Sequence, residues 1–227
     1  MVRVSSMMPT VGLVVPVKPL AAAKTRLRGA ADGGIGSPRA HARLAMALAH
    51  DTISAVQAAE GVRHLLVVSS DPVVAAELGV FGIDVVPDGP EPGLNAAYRR
   101  GAAVLRERDP GTVVGALQAD LPALRPSELD AAIDAALRLF AAGARRAFAA
   151  DAEGTGTTLL LAAAAVPLDP RFGTDSAQRH EESGASPLHG DWPGLRRDVD
   201  TPDDLREAAD LGLGEHTCDV MTPVTDR

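Results

Sequence analysis

Only two lysines occur among the 22 cationic Lys and Arg side chains, and both lie in one short stretch. That stretch is Val14-Val15-Pro16-Val17-Lys18-Pro19-Leu20-Ala21-Ala22-Ala23-Lys24-Thr25-Arg26-Leu27. Lysine is a compact, strongly hydrated point charge, which the planar fork of arginine is not, and it is a usual phosphate binder. With Arg26, the pair predicts a site for a densely charged ligand such as a triphosphate. Opposite charge comes from Asp120, in Ala119-Asp120-Leu121-Pro122, and from Asp198 and Asp200, in Asp198-Val199-Asp200-Thr201-Pro202. Carboxylates gathered at one rim repel unless a cation lies between them. A hard cation that keeps several waters and bridges to phosphates is Mg²⁺. Asp200 has a second reading, because Thr201-Pro202-Asp203-Asp204 is a helix start that an aspartate can serve.

Three weaker motifs accompany these. Gly154-Thr155-Gly156-Thr157-Thr158 is a Gly/Thr loop whose backbone amides can approach an anion closely, or it is a plain turn. Phe172-Gly173-Thr174-Asp175-Ser176 precedes a short helix, where free amides and the Ser176 hydroxyl suit a phosphate or carboxylate; an ordinary cap has the same composition. Asn95, after Gly93-Leu94, suits a base or ribose contact, or a helix cap. The six histidines form no spaced cluster, and no nucleophile elbow or Walker A loop is present. A phosphate nucleophile needs no general base, since its second pKa is about 6. It needs charge neutralisation and alignment, which cations supply.

Strands and helices must bring these residues together. Val11 to Val17 reads as a buried strand, with further strands at 64–70, 83–86, 112–118, 146–150, 157–163 and 195–200. Helical spacing runs over 38–59, 71–78, 94–108, 126–141, 175–183 and 202–211. Residues 28–37 read as a mobile loop. Alternating strands and helices predict an α/β fold with a mostly parallel sheet. In such sheets ligands sit beyond the C-terminal strand ends, where Lys18, Lys24, Arg26 and Asp120 fall. If 195–200 is a strand, Asp198 and Asp200 point to one face. A flexible N-terminus over 1–10, a single domain over 11–214 and a frayed polar tail over 215–227 complete the expected layout.

The chain has 227 residues, 46% of them hydrophobic, enough for one domain with a real core. Aromatics are only 3%, so Ala, Val and Leu must build that core. The net charge of −8 excludes a basic nucleic-acid stripe and makes an anion site depend on local cations or a metal. No apolar run is long enough for a membrane span. The single cysteine, Cys218, forms no internal disulfide, and a cytoplasmic location is expected.

Taken in order, six segments resemble one family. They are Val15-Pro16-Val17-Lys18 with Lys24-Thr25-Arg26-Leu27, Gly93-Leu94-Asn95-Ala96-Ala97, Asp120-Leu121-Pro122, Gly154-Thr155-Gly156-Thr157, Phe172-Gly173-Thr174-Asp175-Ser176 and Asp198-Val199-Asp200-Thr201-Pro202. The chain resembles the 2-phospho-L-lactate or phosphoenolpyruvate guanylyltransferases of coenzyme F420 biosynthesis from about Val11 to Leu211. The resemblance implies a single-domain Rossmann-like nucleotidyltransferase of the glycosyltransferase-A type, with GTP and Mg²⁺ as partners. It implies that Thr157, Gly173 and Ser176 hold phosphoenolpyruvate, that Asp120, Asp198 and Asp200 hold metal, and that Lys18, Lys24 and Arg26 meet the triphosphate. The acceptor would be phosphoenolpyruvate or a related phosphorylated three-carbon acid, and the next enzyme of F420 synthesis a possible partner. Two departures are visible. The first loop, Pro19-Leu20-Ala21-Ala22-Ala23, lacks the glycines common in the wider superfamily. Ala119 stands where a glycine is expected.

Overall fold

The computed structural model describes residues 10–20 and 25–222, so Lys24 lies outside the described residues. Strands β1 (Val11–Pro16), β2 (His64–Val68), β3 (Asp84–Val86), β4 (Val113–Leu117), β5 (Arg146–Ala150), β6 (Thr157–Ala162) and β7 (Ser186–Pro187) form one sheet. Their order is β3-β2-β1-β4-β6-β5-β7. The first four strands in that order run parallel, β6 is antiparallel to both β4 and β5, and β7 is parallel to β5. The sheet is thus mostly parallel, as expected.

Helices α1 (Pro38–Ala58), α2 (Pro72–Val80), α3 (Leu94–Arg108), α4 (Pro126–Ala141), α5 (Ser176–Glu182), α6 (Pro193–Arg196), α7 (Pro202–Leu211) and α8 (Glu215–Met221) surround it. Every residue of β1 is buried, because both sheet faces are covered. Leu13 and Val15 pack with Ile53 and Val56 of α1 and Leu129 and Ile133 of α4. Val14, pointing the other way, packs with Tyr98 and Leu105 of α3. Helix starts follow the sequence signals. Asp71 caps α2 by accepting from Val73 N (2.9 Å), ahead of Pro72. Thr201 and Asp204 form a capping box on α7.

Two expectations fail. Residues 195–200 form no strand: Pro193 opens α6 instead, and the chain then runs irregularly through Asp198 to Asp200. Pro193 is suited to the first position of a helix, which starts α6 where the strand was expected. Nor are residues 215–221 frayed, since they form α8. The buried Asp51 of α1 explains this: its carboxylate accepts from His216 N (3.0 Å) and Thr217 N (2.8 Å), at the positive end of α8. Gly214 N also donates to Pro122 O (2.8 Å). Residues 28–34 form consecutive turns, and the Asp32 carboxylate accepts from Gly36 N (3.0 Å) and Ser37 N (2.7 Å) beyond them.

Candidate active site

Beyond the C-terminal ends of β1 and β4 lies a cavity of about 650 Å³, within the usual range for small-molecule sites. Lys18 and Arg26 line one part of it, Asp120, Asp198 and Asp200 another, and Thr157, Gly173 and Ser176 a third. Every site residue proposed from sequence is therefore brought together, except Asn95 and the undescribed Lys24.

A third apolar cluster explains how the charges converge. It contains Leu27, Leu44, Leu48, Ala123, Val199 and Leu205. Leu27 follows Arg26 in a single 3-10 turn, Thr25–Leu27. Val199 separates Asp198 from Asp200, and its N–H donates to the Asp120 carbonyl (3.0 Å). Each polar group thus sits beside a buried anchor, and one backbone bond ties the segment carrying the two aspartates to Asp120. The Lys18 loop is fastened separately, by Leu20 N donating to the Asp71 carboxylate (3.0 Å). That bond, ahead of other backbone donors, holds the Asp71 pKa below its usual value. Tyr98 is fully buried, and its hydroxyl has no hydrogen-bond partner among the described residues. Burial, with the Asp120 charge, raises its pKa well above that of a free phenol, so it remains a neutral donor.

Asp151, which the sequence reading missed, changes the meaning of the Gly/Thr loop. Its carboxylate accepts from Thr155 N (2.9 Å) and Gly156 N (2.7 Å). The anion these amides hold is the chain's own. Gly156 is needed because a Cβ there would lie 2.1 Å from Asp151 Oδ2. The signal was available as an aspartate five residues before the glycine, facing back along a tight loop. The amides that open α5 are similarly spent: Ser176 N donates to Gly173 O (3.1 Å) and Ala177 N to Thr155 O (3.0 Å). What remains for a ligand here is the pair of buried side chains, Thr157 and Ser176, which line the cavity. Gly173, with φ of +119°, makes a turn that a side chain would strain.

Asn95 neither caps α3, whose N-cap is Gly93, nor lines the cavity. Its amide clamps Phe172, accepting from Phe172 N (2.8 Å) and donating to Phe172 O (3.1 Å). It therefore positions the residue before Gly173.

The acidic side chains fit a hard divalent cation. Asp151, Glu153 and Asp198 each offer an oxygen within 4.8 Å of the others. Glu153 also pairs with Arg197 (2.6 Å), which draws it toward the surface pair. Asp120 and Asp200 share the cavity with Asp198, but neither belongs to that oxygen group among the described residues. All these donors are carboxylate oxygens, the chemistry such a cation takes.

A Rossmann-like sheet with cations, carboxylates and hydroxyls at its C-terminal rim defines a nucleotidyltransferase. Solved structures share the fold. A nucleotidyl transferase from Methanothermobacter superposes with a TM-score of 0.60 at 19% identity, over 89% of this chain and 97% of that one. A Mycobacterium tuberculosis H37Rv protein crystallised with manganese does so with a TM-score of 0.53 at 20% identity, over 89% of this chain and 99% of that one. The chain belongs to the family described as "Guanylyl transferase CofC like", matched over residues 11–223. It is 52% identical to the phosphoenolpyruvate guanylyltransferase of Salinispora arenicola, covering 95% of this chain and 96% of that protein. Among the described residues, no helix is long and apolar enough to cross a membrane.

Proposed function

We propose that this chain transfers GMP from GTP to the phosphate of phosphoenolpyruvate, giving enolpyruvoyl-2-diphospho-5'-guanosine and pyrophosphate in coenzyme F420 synthesis. The observation that carries the reading is one cavity lined by Lys18 and Arg26, by Asp120, Asp198 and Asp200, and by Thr157, Gly173 and Ser176. A cation-rich edge suits a triphosphate, and a buried hydroxyl pair suits a small acid. The 52% identity to a protein of that name supports phosphoenolpyruvate over 2-phospho-L-lactate or 3-phospho-D-glycerate.

In the reaction, an oxygen of the acid's phosphate forms a bond to the α-phosphorus of GTP. The bond to the bridging oxygen breaks, and pyrophosphate leaves with that electron pair. The nucleophile is already largely ionised at neutral pH, with a second pKa of about 6, so no side chain has to remove a proton. Lys18, Lys24 and Arg26 bind the triphosphate and favour the leaving group. Thr157, Gly173 and Ser176 hold the acid. Asp120, Asp198 and Asp200 hold Mg²⁺, which when bound neutralises phosphate charge and aligns the reacting groups. Asn95 acts on the acid side, through Phe172, rather than on the nucleotide. In this reading the enzyme is cytoplasmic and passes its product to the next enzyme of the pathway.

Pyrophosphate release tests the reading. GTP and Mg²⁺ are supplied with each of the three acids in turn, and CTP and ATP serve as nucleotide controls. Release with GTP and phosphoenolpyruvate is expected. Release only with CTP, or with none of the acids, would reject it.

A further inference from the structure

His180 is fully buried behind the part of the cavity assigned to the acid. Its ring packs against Phe172, 5.1 Å between centroids, and Phe148, 5.9 Å. Both ring nitrogens are used. Arg171 N lies 2.9 Å from Nε2, and Thr157 Oγ1 lies 2.9 Å from Nδ1. A backbone N–H can only donate, so Nε2 must accept, and the imidazole proton belongs on Nδ1. Burial, then the charges of Arg179 and Arg171, lower the His180 pKa to about 4; Arg146 acts in the same direction and Asp169 opposes it. The ring is therefore neutral near pH 7, and Nδ1–H donates to Thr157 Oγ1. With that lone pair occupied, and no other partner for the hydroxyl among the described residues, the Thr157 proton is left for the cavity that Thr157 lines.

We infer that His180 is a positioning residue that turns Thr157 into a hydrogen-bond donor toward an anionic oxygen of the acid substrate, while tying β6 to the loop that carries Gly173. This rests on the assignment of the acid to Thr157, Gly173 and Ser176. The hydroxyl then offers its proton to the cavity, where a carboxylate or phosphate oxygen can accept it.

A double-variant cycle tests the inference. Thr157→Val should raise the KM for phosphoenolpyruvate roughly ten- to hundredfold, the worth of a hydrogen bond to a charged group, and leave the KM for GTP unchanged. His180→Phe, which keeps the ring, should raise the same KM about tenfold and likewise spare GTP. In the Thr157→Val background it should add nothing. His180→Asn, whose amide N–H can reach Thr157, should recover part of the loss. Multiplicative effects of the two substitutions, or equal changes in both KM values, would overturn the inference. Independently of activity, nitrogen-15 NMR of the wild-type protein at pH 7.5 should show His180 protonated on Nδ1, with the resonance assigned by its loss in His180→Asn. A proton on Nε2 would overturn it whatever the KM values of the variants. Wild-type protein that releases no pyrophosphate with any acid would reject the functional reading and the substrate half of this inference. The NMR result would still decide the hydrogen-bond chain.

Discussion

The two ends of the cavity are built on opposite principles. At the charged end, Lys18, Arg26 and Asp200 are exposed, and Asp120 and Asp198 half-buried. Their backbones are anchored by buried neighbours, and their side chains lie at the rim of the cavity. At the acid end, Thr157 and Ser176 are buried, and their surroundings are fixed by hydrogen bonds from Asn95, Asp151 and His180. The charged end is the more exposed of the two. The other is organised before the ligand arrives, so it loses little conformational entropy on binding.

The sharpest break of this contrast is Asp120→Asn. Loss of a metal's outer partners alone costs about 10- to 100-fold, so removing a direct ligand should lower turnover by more than about a hundredfold. Unfolding curves should hardly move. Near-normal pyrophosphate release would remove Asp120 from the metal.

The pH dependence of stability probes the acid end. Between pH 6.5 and about 4, His180 is protonated in the unfolded chain and neutral in the native one. Unfolding then takes up a proton, so stability falls as pH drops through that window. Above pH 6.5 the group contributes no slope. The full shift is worth roughly 3 kcal/mol. Urea unfolding between pH 7 and 5 should show a shallower slope for His180→Asn; parallel slopes would contradict the neutral buried ring.

Lys18→Ala should raise the KM for GTP about tenfold, the worth of one charge-assisted contact, with the acid KM unchanged. Smallest should be Asn95→Ala, which loosens Phe172 and raises only the acid KM, roughly threefold, about the net worth of one ordinary hydrogen bond. A change in GTP affinity instead would return Asn95 to the nucleotide.

What was legible in the sequence followed the same division. Lys18, Asp120 and the ends of α3 and α4 could be read directly, because charge type, strand-end position and helical period are local. Thr157, Gly173 and Ser176 came through family resemblance, since hydroxyls and glycines have no distinctive spacing. Asp198 and Asp200 read as strand residues, but Pro193 starts a short helix there and the chain beyond it is irregular. Asp151 and His180 went unread. Each acts through partners set by the tertiary fold: Asp151 through a loop folded back on itself, His180 through Thr157, 23 residues away. β7, at two residues, is too short to carry any pattern.

The bond from Gly214 N to Pro122 O, and the docking of α8 on Asp51, have a consequence for synthesis. The chain leaves the ribosome N-terminus first, so β1, α1 and the Asp120 loop can form long before their brace exists. Asp198 and Asp200 emerge late, and the helix that locks the loop behind them later still. A nascent chain can thus fold its sheet before residues 214–221, which brace the Asp120 loop, have emerged. Premature termination before residue 214 should therefore yield chains that have most of the core and no working site.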